Sequence, residues 1–92
     1  MKRHLAVKVE KADPDKTRAL GSASWPIWTC GVSEFDWSYS ERETCHILEG
    51  EVEVLTPEGS VKFGAGDLVE FPEGLSCRWK VTKPVRKHYR FG

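Results

Sequence analysis

The second half of the chain is punctuated so often that it reads as short straight segments joined by reversals. Gly50, Pro57-Glu58-Gly59, Gly64-Ala65-Gly66-Asp67 and Pro72-Glu73-Gly74 are residue types that tight turns need. Glycine reaches positive φ without a Cβ clash, and proline presets φ at the first corner of a turn. Between them Glu51 to Thr56 alternates, with Val52 and Val54 on one face. Ser60 to Phe63, Leu68 to Phe71, Ser76 to Val81 and Val85 to Phe91 are similarly short. Upstream, His4 to Lys11, Trp25 to Cys30, Glu34 to Tyr39 and Glu43 to Leu48 are rich in β-branched and aromatic residues. Turn signals roughly eight to twelve residues apart predict about eight or nine short strands in an all-β sandwich or barrel. The one helix expected is a turn or two long. It starts with Asp13 as N-cap and Pro14 at the first helical position, and ends at Gly21-Ser22.

A chain of 92 residues has room for one domain with one modest core. Residues 1–24 are expected to pack as a strand and short helix on the barrel. Lys plus Arg equal Asp plus Glu at 14 each, a net charge of zero. That balance gives no electrostatic reason to expect nucleic acid or an anionic membrane as partner. No apolar run approaches the length of a membrane span. The stretch MKRHLAVKVEK lacks the apolar core of a signal peptide, and the three cysteines are an odd number without a CxxC pair. Reduced thiols in a cytoplasmic protein are therefore expected. The basic run Lys80 to Arg90 reads as the solvated face of a last strand, alternating against Val85, Tyr89 and Phe91.

Two segments go beyond a generic β pattern. Gly66, five residues, Pro72, one residue and Gly74 resemble the second motif of the cupin superfamily, in which a histidine follows after two further residues. Glu43-Thr44-Cys45-His46-Ile47-Leu48-Glu49-Gly50 resembles the second half of the first cupin motif, where a metal-binding glutamate precedes an apolar strand and a turn. The similarity is closest to a small single-domain branch that also appears in ureidoglycine aminohydrolases and an ethanolamine-utilisation protein. Trp79, Val81, Arg86, Lys87 and Tyr89 continue that branch's pattern, so the resemblance runs from about Trp25 to the C-terminus. It implies a double-stranded β-helix, or jelly-roll barrel, whose inward side chains face one cavity. It also makes a homodimer an expectation, since cupins commonly dimerise and open edge strands favour it.

Metal-binding cupins supply three histidines and a glutamate, which suit iron, manganese, zinc or nickel. Here Glu43 alone is kept. The positions upstream fall on Asp36 and Ser38 or on Trp37 and Tyr39, depending on the gap, and the last falls on Cys77. His4, His46 and His88 lie elsewhere, and His46 faces outward if Glu43 and Cys45 face inward. No cofactor is expected. An alternative is a divalent metal such as zinc held by Glu43, Cys45 and Cys77.

The candidate catalytic residues are Glu43, as an acid or base inside an apolar barrel, and Cys77, as a nucleophile. Trp37, Tyr39, Cys45, Trp79 and Lys87 are candidates for binding the substrate. Aromatic walls suit flat polar metabolites, and Lys87 at a rim suits an anionic group. Trp79 shares parity with Cys77, so both should face inward. The expected function is a metal-independent enzyme on a small polar or sugar-like metabolite, for example an epimerase or isomerase. The ureidoglycine branch suggests hydrolytic deamination instead, but that chemistry uses manganese, whose ligands are incomplete here. The alternatives are a non-catalytic metabolite-binding or sensory module and the metalloprotein.

Overall fold

A computed structural model describes residues 6–92. His4 and Leu5, at the start of the first expected strand, lie outside the described residues. The strand β1 runs Lys8–Lys11 and pairs antiparallel with β6, Asp67–Phe71. All four of its residues are exposed, and of the alternating face read from the sequence Val7, just before it, packs against the core while Val9 does not. The helix α1, Pro14–Leu20, starts and stops where its caps dictate. The Asp13 carboxylate accepts from the Lys16 N–H, and Gly21 closes the helix at φ 67°, in the left-handed region that glycine occupies without penalty.

The remaining strands are β2, Ile27–Cys30; β3, Ser33–Ser38; β4, Glu43–Thr56; β5, Gly59–Gly64; and β7, Ser76–Phe91. Among the described residues seven strands stand where eight or nine were expected, because two apparent breaks are not breaks. Gly50 lies inside β4 at φ 100°, and Pro84 lies inside β7. The two strands pair with each other throughout, and the register shifts between Ile47 and Val52 mark β-bulges. Gly50 is fixed there by space: a Cβ would meet the Pro84 carbonyl and lie 2.7 Å from the Val85 Cα. Bulges bend and twist a strand without ending it.

Those bends turn one continuous sheet into two facing layers. The first half of β4 pairs with β6, the second half with β5. The first half of β7 pairs with β3, the second half with β2. The core between the layers contains Ile47, Val54, Val69, Phe71 and Leu75, each at most 1% exposed. A side chain buried to that degree contributes about 1.5–3 kcal/mol. Trp79 is the hub of the aromatic packing, with ring centroids of Trp28, Phe35, Phe63 and Phe71 between 5.5 and 5.9 Å away. Among the described residues, no helix is long and apolar enough to cross a membrane.

Candidate functional site

On β4 the inward positions are Glu43, Cys45 and Ile47, all buried. On β7 Lys87 faces them. It lies opposite Ile47, with Tyr89 opposite Cys45 and Phe91 opposite Glu43. The lysine stem therefore lies back along the layer, and its ammonium passes over Cys45 to reach Glu43. Lys87 Nζ donates to Glu43 Oε2 at 3.1 Å and to Cys45 Sγ at 3.3 Å. Both charged residues are 4% exposed. The Trp79 and Trp28 rings flank the ammonium, with centroids 4.8 and 4.9 Å from Nζ, so the cation also gains from the π faces. Lys87 thus sits inside, not at the rim, and it is the partner of Glu43. The other nearby cations are engaged elsewhere: Arg42 with Glu70, and Arg78 with Glu34 and Asp36.

This ion pair forms the polar end of a cavity of about 160 Å³. Trp28, Phe35, Trp37 and Trp79 supply its walls, together with Tyr39, Tyr89 and Phe91. Trp37 and Phe91 are 48% and 42% exposed and mark its mouth. Among the described residues, Glu43 and Lys87 are the only charged ones lining it. Tyr39 is held from both sides of a turn: its N–H donates to the Leu75 carbonyl, and its carbonyl accepts from the Gly74 N–H, each at 2.8 Å. The Pro72-Glu73-Gly74 turn therefore positions this ring. Tyr39 Oη accepts a hydrogen bond from Trp79 Nε1 at 3.2 Å. Burial, with the Glu43 charge second, holds the phenol well above its usual range, so it stays protonated.

The thiols behave as packing. Cys45 is fully buried, and burial pushes its thiol up to about 12 despite the opposing Lys87 charge. It lies beneath the ion pair and does not line the cavity. Cys77 is pushed up to about 11, chiefly by burial. It points inward as its shared parity with Trp79 predicts. However, its Sγ donates to the Trp37 carbonyl at 3.6 Å, and it lies outside the cavity lining. A nucleophile needs a thiolate with a path to substrate, and Cys77 offers neither.

Nor do these residues fit a divalent metal. Among the described residues no three His, Cys, Asp or Glu side chains converge. The two donors that a cation would use, Glu43 and Cys45, already surround an ammonium. Two of the three histidines alternate away from the cavity on the same strands: His46 and His88 pair across β4 and β7. His88 Nδ1 is 2.8 Å from the Trp25 carbonyl oxygen. His46 is lowered from its usual value, first by burial and then by His88. His4 lies outside the described residues. A second depression of about 380 Å³, between β1, α1 and β6, has no aromatic lining. Its charges pair at the surface, as in Lys8–Glu70 and Arg42–Glu70.

Sequence reasoning found Glu43, Tyr39, Trp79, Trp37 and Lys87, and missed Trp28, Phe35, Tyr89 and Phe91 as lining residues. The parity of β7 carried part of the missing signal, since Val85, Lys87, Tyr89 and Phe91 fall on one side of the strand.

Residues 17–89 match the family of EutQ-like cupin domains, which is most of the chain. The chain belongs to the EutQ-like cupin family. This cupin superimposes with a TM-score of 0.92 on a DUF861 family protein from Thermotoga maritima at 56% identity, over 95% of this chain and 100% of that one. A Clostridium difficile EutQ protein gives a TM-score of 0.66 at 20% identity, over 71% of this chain and 52% of that one. A putative ethanolamine utilization protein Q from Salmonella typhimurium gives 0.66 at 22% identity, over 92% and 68%. The last two show the fold alone, and this cupin spans about half of the Clostridium protein. No curated protein matches. The all-β jelly-roll expectation is met.

Proposed function

We propose that this cupin is a metal-independent enzyme that binds a small, largely flat metabolite in the barrel and moves a proton on it with Glu43. One observation carries the reading: among the described residues, a buried carboxylate and a buried ammonium 3.1 Å apart are the only charges facing an aromatic cavity. Such a pair is costly to bury. Its placement against an otherwise apolar cavity matches a site with a few convergent polar groups. Glu43 accepts and returns the proton. Lys87 supplies the countercharge and a donor to a substrate oxygen, and Trp28, Trp37 and Trp79 sandwich the rest. Proton transfers such as isomerisation need nothing more than positioned acids and bases. Three free thiols favour a reducing compartment, which supports the cytoplasm as its location.

The test begins with elemental analysis of protein purified without chelators, followed by a metabolite screen read by thermal shift. Metal well below one equivalent is expected, together with a ligand whose stabilisation and turnover are lost in folded Glu43→Gln. About one equivalent of manganese, iron, nickel or zinc would overturn the metal-independent reading. Ligand binding that persists in Glu43→Gln without turnover in either protein would instead make the barrel a binding module.

A further inference from the structure

Lys87 differs from the other described lysines in one respect that bears on chemistry. Lys8 and Lys83 have side chains 78% and 66% exposed, whereas that of Lys87 is 5% exposed and still lines the cavity. Burying a lysine sacrifices hydration and rotamer freedom. The gain here is an amine whose proton has an acceptor in place, Glu43 Oε2 at 3.1 Å. Transfer along that hydrogen bond converts an ion pair into an amine and a carboxylic acid. A neutral lysine amine in an apolar site is a nucleophile towards carbonyl carbon.

We propose that Lys87 is the nucleophile of the cavity and forms a reversible imine with a small aldehyde or ketone bearing a flat apolar group. This rests on the reading of Glu43 and Lys87 as the polar end of the binding cavity, and it names the ligand class. The amine nitrogen adds to the carbonyl carbon, and the carbonyl π pair moves to oxygen, which takes the proton from Glu43. The nitrogen then returns a proton to Glu43. Glu43 passes it to the hydroxyl, the C–O bond breaks, and water leaves. The balance is ammonium, carboxylate and carbonyl in; protonated imine, carboxylate and one water out. No oxidant or reductant is consumed. Trp28 and Trp79, 4.9 and 4.8 Å from Nζ, stabilise the cationic imine as they do the ammonium.

The space available sets the ligand size. A cavity of about 160 Å³ is close to the apolar cavity of ~150 Å³ that takes benzene in another protein. A single-ring aldehyde is therefore the matching probe, and it reaches Lys87 past Trp37 and Phe91.

The experiment incubates the native protein with benzaldehyde and sodium cyanoborohydride, which reduces an imine to a stable benzyl amine, and maps the label by peptide mass spectrometry. Label is expected on Lys87 ahead of Lys8 and Lys83. Glu43→Gln is expected to slow labelling of Lys87 by about a hundred-fold while leaving Lys8 and Lys83 unchanged. Lys87→Arg should keep the cation and the same surface labelling. The wild-type map alone decides the matter if a variant fails to fold. Lys87 labelled no faster than Lys8, with benzyl alcohol still raising the melting temperature, would overturn the imine and spare the cavity reading. Neither label nor benzyl alcohol binding would overturn both.

Discussion

Lys87 is the cross-strand partner of Ile47, yet its ammonium pairs with Glu43, four residues earlier on the same strand. The lysine stem fills the layer between, over the Cys45 thiol. The ion pair is therefore both a polar feature of the cavity and part of the packing.

Removing both partners together should cost less than their separate losses added. Lys87→Met strands the Glu43 carboxylate in the core and is expected to cost about 3–5 kcal/mol. The double variant Glu43→Gln/Lys87→Met should lose less than the two single losses added, with a coupling of about 1–3 kcal/mol. Urea unfolding of the four proteins measures this. A Lys87→Met loss under about 1 kcal/mol would place the pair in water, contrary to the structure.

Gly50 combines positive φ with backbone contact at the missing Cβ. Gly50→Ala is expected to destabilise by about 3 kcal/mol or more, since strain of roughly 1–3 kcal/mol adds to the clash with Pro84 and Val85. Thermal unfolding reads the loss. Gly59→Ala shares the positive φ but meets nothing within 4 Å, so it should cost clearly less.

Thiol titration should divide the cysteines. Cys30 is partly exposed, while Cys45 and Cys77 are buried and held protonated at about 12 and about 11. An aromatic disulfide reagent at neutral pH is expected to modify Cys30 alone in the native protein and all three in denaturant. Rapid native reaction at Cys77 would contradict its placement.

Acid stability should carry a signature of His46. Its folded value lies below the usual 6.5, so on acidification the unfolded chain takes up the proton first. Stability then falls as pH drops through the unfolded value, and levels off below the folded one. His46→Asn is expected to flatten that decline as pH drops through the unfolded value, as measured by denaturant midpoints across pH. An unchanged slope would assign the decline to other groups.

Local chemistry was legible in the sequence, and pairing was not. Asp13, Pro14 and Gly21 define α1 within a few residues of chain, and the structure matches them. Parity placed Cys45, Cys77 and Trp79 inside. Gly50 reads as a turn, because a bulge and a turn both call for glycine, and the last strand reads as two, Ser76 to Val81 and Val85 to Phe91. Only the partner strand decides whether the chain reverses. Lys87 looked like a rim residue, since an isolated lysine belongs in water. Its burial depends on Glu43, 44 residues away. Trp28 and Phe35 sit on short strands that are brought to the cavity by pairing with β7.

The bulge opposite Pro84 also acts as a reading frame for the site. Side chains alternate strictly beyond it, so sliding the end of β7 by one residue would exchange its whole inward set. Lys87 would turn out to solvent, and either Arg86 or His88 would take its place facing Glu43. Arginine would make the cavity a fixed-charge fork for oxyanions. Histidine would bring an imidazole to a carboxylate, the beginnings of a metal-binding set. A single inserted or deleted residue after Pro84 thus separates three different chemistries on one barrel.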